Sequence, residues 1–211
     1  MSSKLNRVVS LLFFIQILIA QIAFSQSFNG GALLGFNASQ VSGDNLGGYD
    51  KPGISGGFFV SKKIAEKSEL EMRMTYAAKG SRDVPDFEKG KYTAYYLKLN
   101  YIEVPLLYRY NFKKLWLMAG VSGGYLISSS IANESGPFPE NSIENRPFNK
   151  YEVCTHYGVA LPFAETWEVE LKSSDTFFLL PIRKHASGAN FRVDFGQLNS
   201  VISFSLKYRF K

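Results

Sequence analysis

The chain has 211 residues, of which 45% are hydrophobic, 15% aromatic and 20% charged, with a formal net charge of +6. That length supports one domain. So modest an apolar fraction excludes a bundle of membrane-spanning helices, but a barrel of membrane-spanning strands, whose side chains alternate between lipid and lumen, averages to this composition. One cysteine and two histidines also exclude a disulfide framework and a zinc module built on Cys and His.

Lys4 and Arg7 precede an apolar run from Val8 to Phe24 that is interrupted only by Ser10, Gln16 and Gln21. Ala23 and Ser25 then place small residues at positions minus three and minus one of a cut before Gln26. This arrangement predicts a cleaved secretory signal over residues 1–25 and a mature domain over 26–211. The run is too short and too polar for a helical anchor, and no cysteine follows the cut to carry an acyl group. Without the segment, 22 Lys+Arg face 18 Asp+Glu, a net of +4. No cluster of Lys and Arg interleaved with aromatics occurs, so nucleic acid is not an expected partner.

Beyond Gln26 the recurring signal is period two, the mark of strands with unlike faces. Eight strands are predicted, over residues 30–40, 53–63, 68–79, 92–110, 115–129, 151–163, 166–172 and 202–210. The third is the clearest, with Leu70, Met72, Met74, Tyr76 and Ala78 against Glu69, Glu71, Arg73 and Thr75. In the seventh, Trp167, Val169 and Leu171 oppose Glu168, Glu170 and Lys172; in the eighth, Ile202, Phe204, Leu206, Tyr208 and Phe210 oppose Ser203, Ser205, Lys207 and Arg209. The fourth strand is irregular, because a Leu97, Leu99, Tyr101 phase gives way to Ile102, Val104, Leu106 and Tyr108. That slip predicts a β-bulge near residues 101–103, with Pro105 where no ladder donor is needed.

The connections alternate as well. Residues 64–67, 111–113 and 164–165 are tight turns, whereas 41–52, 80–91, 130–150 and 173–190 are long and rich in Gly, Pro, Asn, Ser or charge. Short turns at one end and long loops at the other describe an eight-stranded antiparallel up-and-down transmembrane β-barrel, turns periplasmic and loops extracellular. An Arg or Lys facing lipid at mid-bilayer costs about 2–4 kcal/mol, so the charged rows are expected inside and the apolar rows outside. Tyr76, Tyr92, Tyr95, Tyr108, Tyr110, Trp116, Tyr125, Tyr151, Trp167, Tyr208 and Phe210 fall near strand ends and suit interfacial girdles. Strand order then predicts structural ion pairs in the lumen: Glu69 and Glu71 with Lys62, beside Arg73, and Glu168 and Glu170 with Lys207 and Arg209.

The final residues, Ser203 to Phe210, carry small and aromatic residues in a pattern that resembles the C-terminal signal read by the outer-membrane insertion machinery, apart from the extra Lys211. Together with Gly35-Phe36-Asn37-Ala38-Ser39 and Tyr101-Ile102-Glu103-Val104-Pro105-Leu106-Leu107, the terminal Lys207-Tyr208-Arg209-Phe210 resembles the PorT-like outer-membrane β-barrel family of Gram-negative bacteria. The resemblance implies a small barrel in the outer membrane, within a family one branch of which is tied to protein secretion. It brings no catalytic residues and no cofactor.

An eight-stranded barrel is just wide enough to be filled by its own side chains, which argues against solute transport. His156 shares the predicted lumenal face of Glu152 and Cys154, and no nucleophile motif accompanies it; His185 stands beside Arg183 and Lys184 in a solvated basic stretch. Cys154 reads as a packed small residue. The run Gly120-Val121-Ser122-Gly123-Gly124 lacks the Lys and helix of a phosphate loop, and its glycines are expected to make room for neighbours. The candidate partner surface is the apolar stretch Phe177, Phe178, Leu179, Leu180 and Ile182, which alternatively folds over the barrel mouth. The expected protein is therefore non-enzymatic and outer-membrane. Its expected partners are outer-membrane lipid, the insertion machinery during assembly, and an envelope or secretion protein. The competing readings are a lipid-modifying enzyme using His156 and a soluble lipocalin-like carrier.

Overall fold

The computed structural model describes residues 28–44, 46–85, 87–90, 92–139, 146–184 and 196–210. The proposed signal segment, His185 and Lys211 lie outside them. Eight long strands form the wall: β1 (Asn29–Ser42), β2 (Lys51–Ala65), β3 (Ser68–Asp83), β4 (Tyr95–Phe112), β5 (Leu115–Asn133), β6 (Tyr151–Pro162), β7 (Trp167–Thr176) and β8 (Leu198–Arg209). Each pairs antiparallel with its neighbour in the chain, and β8 returns to β1, from Gly31 opposite Arg209 to Ser42 opposite Leu198. Closure leaves no unpaired sheet edge, which is the condition for strands to stand in lipid. Among the described residues no helix is long and apolar enough to cross a membrane.

The alternation read from the sequence is a physical inside and outside. On β3, Glu69, Glu71, Arg73 and Thr75 are buried while Leu70, Met72 and Met74 are exposed. On β8, Lys207 is buried and Phe204 exposed. Met74 is 62% exposed and Arg73 only 2%. A soluble carrier requires the reverse polarity, so that reading is overturned. Residues of the proposed girdles gather at both ends of the wall. Trp167, Tyr208 and Phe210 form a chain of rings with centroids 4.7 and 5.9 Å apart at the turn end. Tyr125 and Tyr151 meet edge to face at 5.6 Å toward the loop end.

The fourth strand departs from expectation. It alternates without interruption, so Leu97, Leu99 and Tyr101 point inward, fully buried, while Ile102, Val104, Leu106 and Tyr108 point outward. The apolar phase slips because the surroundings change along the strand, not because the backbone does. The loop-end parts of β4 and β5 carry polar residues outside, with Lys98 and Ser128 to Ser130 exposed. Their inner face joins Val41, Leu97, Leu99, Tyr101, Ile131 and Ile182 in an apolar core that plugs the mouth, flanked by Tyr95, Leu126, Phe138 and Phe148. Tyr95 therefore belongs to this core and not to a girdle. A bulge does occur at this level, but on β5. Asn100 faces Ser128 while Tyr101 faces Leu126, which leaves Ile127 as the extra residue. On the other side of β4, the ladder to β3 lapses between the Met72–Leu106 and Thr75–Glu103 pairs, the stretch that contains Pro105, which has no N–H to donate.

Glycine permits close approach at several positions of the wall, Gly31 and Gly120 among them. A Cβ on Gly31 would lie 2.4 Å from the Phe59 ring, and one on Gly120 would lie 2.1 Å from the Leu106 carbonyl oxygen. Phe59 fills the space beside Gly31, and the Lys207 ammonium lies 4.0 Å from its ring centroid. In the glycine run, Gly123 meets nothing within 4 Å, so Gly120 is the position where crowding is acute.

Candidate functional site: a filled lumen and an exposed outer mouth

Alternation on β3, β4, β6, β7 and β8 delivers six carboxylates and six cations to the lumen among the described residues. They are Glu69, Glu71, Glu103, Glu152, Glu168 and Glu170, with Arg73, Lys79, Arg109, Lys172, Lys207 and Arg209. The formal charges cancel, as burial in a low-dielectric interior demands. Near the turn end, Arg73 clasps Glu170 through two bonds of 2.7 and 2.8 Å and reaches Glu71 at 2.6 Å. Arg109 spans Glu71 at 3.0 Å and Glu168 at 2.5 Å. Lys207 contacts the same Glu71 and lies 2.9 Å from Glu168. Arg209 stands at the edge, 3.6 Å from Glu69 and 31% exposed at its side chain.

The structure thus brings together seven of the eight predicted ion-pair residues. Lys62 is not among them. It pairs across the ladder with Leu70, on the outer face, while Ser61 occupies the inward position opposite Glu71. The Lys62 stem can lie along apolar surface with its ammonium at the interface. A second lumenal cluster lies nearer the loops, where the Lys79 ammonium contacts Glu103, Glu152 at 3.0 Å and the Cys154 sulfur at 3.6 Å. Asn199 donates to Glu152 at 2.8 Å. Glu103, Glu152 and Cys154 are spaced closely enough to ligate a metal, but the Lys79 ammonium occupies that position.

Sequence reasoning overlooked Lys79, Glu103, Arg109 and Glu152 as charge partners. The signal for Lys79 was present, since it extends the Glu69, Glu71, Arg73 row by the same step of two. Glu103 and Arg109 were equally legible, since they lie opposite the outward row of Ile102, Val104, Leu106 and Tyr108 on β4. Between the clusters a void of about 20 Å³ is lined by Arg73, Lys79, Glu103 and Lys172, room for roughly one water. The Cys154 thiol is 1% exposed. A maleimide reagent should leave it unlabelled in the folded barrel and modify one thiol per chain after unfolding; labelling at equal rates in both states would refute this packing.

His156 points into the lumen, and its Nε2 lies 2.7 Å from Ser122 Oγ. This Ser–His contact was not foreseen. Both residues are buried, and the ring Nδ1 has no hydrogen-bond partner among the described residues. Among the described residues no carboxylate orients the imidazole as a base, and the Ser122 hydroxyl is enclosed in the lumen.

Chemistry open to the surroundings is at the outer mouth. After β7 the Phe177 N–H donates to the Val153 carbonyl at 2.7 Å, and a turn closes with the Leu180 N–H donating to the Phe177 carbonyl at 2.8 Å. Phe178, Leu179 and Leu180 are exposed at its tip. The chain then dips back. The Ile182 N–H donates to the Gln197 carbonyl at 2.9 Å, its carbonyl accepts from the Asn149 N–H at 2.7 Å, and its side chain enters the mouth core. The stretch expected to be one surface is thus split, and Ile182 is removed from it. Replacing Ile182 by Ala should lower stability by about 2–4 kcal/mol, the usual cost of truncating a buried aliphatic side chain, measured as the urea midpoint of the refolded barrel; an unchanged midpoint would show that this anchor is not seated.

The model of a family described as "Outer membrane protein beta-barrel domain" matches residues 20–175. Comparison with curated proteins gives no match. Among solved structures, Neisserial surface protein A is similar with a TM-score of 0.51 at 14% identity, covering 87% of this chain and 97% of that one. Ail, the attachment invasion locus protein of Yersinia pestis, in a phospholipid bilayer nanodisc, has a TM-score of 0.47 at 10% identity, covering 87% and 100%. These likenesses concern the fold. The matched residues comprise most of the chain, including seven of its eight long strands, and the chain belongs to the outer-membrane β-barrel domain family.

Proposed function

We propose that this protein is a non-enzymatic barrel of the PorT-like branch, exported by the signal segment 1–25, that acts as an accessory of envelope assembly or secretion by docking a partner on its extracellular loops. The observation that carries this reading is the turn that follows β7, where Phe178, Leu179 and Leu180 stand exposed and whose root is pinned by Ile182. Contiguous apolar side chains held outward on a rigid base are characteristic of interaction sites. The filled lumen supports the same view, because it leaves the outer surface as the place where binding occurs. A photo-crosslinking amino acid at position 179 in intact cells should yield an adduct with an envelope protein, and one at Val121 on the lipid-facing wall should yield lipid adducts alone. The triple substitution Phe178→Ser, Leu179→Ser and Leu180→Ser should abolish the protein adduct while the barrel keeps its heat-shifted gel mobility. Lipid adducts alone at position 179 would refute the reading.

The competing enzymatic reading draws on the contact between Ser122 and His156. It requires that His156→Ala change the lipid profile of the membrane; we expect no change. N-terminal sequencing of the membrane-extracted protein should begin at Gln26, and a start at Met1 would remove the proposed signal cleavage.

A further inference from the structure

A groove of about 570 Å³ lies beside this loop, between the start of β6 and the β7–β8 connection. Its charged lining is of one sign: Arg146, Lys150, Arg183 and Lys184, with no acidic residue among the described residues that line it. Arg183 forms the floor. Its guanidinium stacks 4.3 Å from the Phe148 ring centroid, its Nε donates to Gln197 Oε1 at 2.9 Å and its Nη1 donates to the Arg146 carbonyl at 3.4 Å. These contacts hold the plane of the cation in place. Burial, with the Arg146 charge adding to it, lowers Arg183 from its ordinary value, while Tyr95 and Asp44 act in the opposite direction; an anion brought into the groove would reinforce the latter. Lys150 and Lys184 are exposed at the rim and can reach into it.

The remaining wall decides what kind of anion fits. Tyr151 and Val153 lie on the outer side of β6, the face turned toward lipid, and Leu180 closes the top. The groove is thus cationic toward the loops and apolar toward the membrane. A free polyanion would leave the Val153 side wetted, whereas a membrane lipid would fill both parts, its phosphate against the cations and its first acyl carbons along Tyr151 and Val153. We propose that this groove binds the phosphorylated headgroup of an outer-leaflet lipid, with Lys150 and Lys184 pairing its phosphate oxygens above the fixed plane of Arg183. The site shares only Leu180 with the docking turn and differs from it in chemistry, and the lysines substituted here lie outside that turn, so lipid binding and partner docking can fail independently.

The test uses the full barrel refolded in a nonionic detergent and titrated with diphosphorylated lipid A, bound lipid being read by native mass spectrometry. The Lys150→Gln/Lys184→Gln variant should bind about thirtyfold more weakly, roughly fivefold per basic residue removed. A Lys63→Gln/Lys67→Gln control at the turn end should bind like the parent protein. Gel mobility before and after heating confirms that each variant is folded. On the parent protein alone, a phosphate-free form of the same lipid should lose most of its affinity, and inositol hexakisphosphate should compete poorly. Equal affinity in the groove variant, equal affinity for the phosphate-free lipid, or inositol hexakisphosphate binding as tightly as the lipid would each overturn the proposal.

Discussion

Replacing Glu71 by Gln should cost about 3–5 kcal/mol of stability, the range expected when one member of a buried charge network is removed. Glu71 is fully buried, and Arg73, Arg109 and Lys207 all converge on its carboxylate. Neutralising it leaves three cations sharing the remaining carboxylates Glu69, Glu168 and Glu170, in an interior where little water can take over the lost interaction. The network itself need not be a large source of stability, since a packed apolar core can match it; the cost arises from breaking it on one side only. The matched control is Lys62→Gln, which removes a charge from the same end of the barrel but on its outer face, and which should change stability by no more than about 0.5 kcal/mol. Urea unfolding in detergent micelles, followed by the fraction of heat-shifted protein on a gel, measures both. Similar midpoints for the two variants would show that Glu71 is not enclosed.

The second large effect divides a single strand into two environments. Leu106→Arg, on the outer face of β4, should destabilise the inserted barrel by about 2–4 kcal/mol at mid-bilayer depth. Leu99→Ala, seven residues nearer the loops, should cost about 2–5 kcal/mol for the opposite reason, because Leu99 is fully buried in the mouth core and its loss opens a cavity. Lys98→Ala, on the exposed face next to it, should be close to neutral. If the apolar row of β4 met lipid along its whole length, Leu99→Ala would be mild and Lys98→Ala stabilising. Unfolding of the three variants from lipid vesicles distinguishes the two arrangements.

The contrast between these residues shows which features were legible in the sequence. Period two over residues 68–79, 166–172 and 202–210 sufficed to place Arg73, Glu168, Glu170 and Lys207 on one face and Met72, Leu171 and Phe204 on the other, because a strand's side-chain period is set by backbone geometry alone. Loop lengths fixed the order and sense of the strands for a similarly local reason. Lys62 and Leu99 were misplaced because the direction of a face was inferred from its polarity. At Lys62 a lysine at the membrane boundary can remain on the outer face. At Leu99 the wall has risen above the lipid, so the polarity rule is reversed and apolar residues turn inward as they do in a water-soluble protein. No local pattern marks the height at which lipid gives way to water.

The basic groove illustrates the same limit at longer range. Arg146 and Lys150 precede β6, while Arg183 and Lys184 follow β7, more than thirty positions later in the chain. Each pair alone reads as a solvated charge. Antiparallel pairing of β6 with β7 brings them to one rim, and the return of Ile182 into the mouth core aims Arg183 beneath them. Composition, strand number and the alternation of charged and apolar rows were determined by the sequence itself, since each follows from residue type and a fixed backbone repeat. Which carboxylate meets which cation, where the wall leaves the membrane, and which loop residues share a groove were decided only by closure of the barrel, because closure alone sets the register between strands distant in the chain.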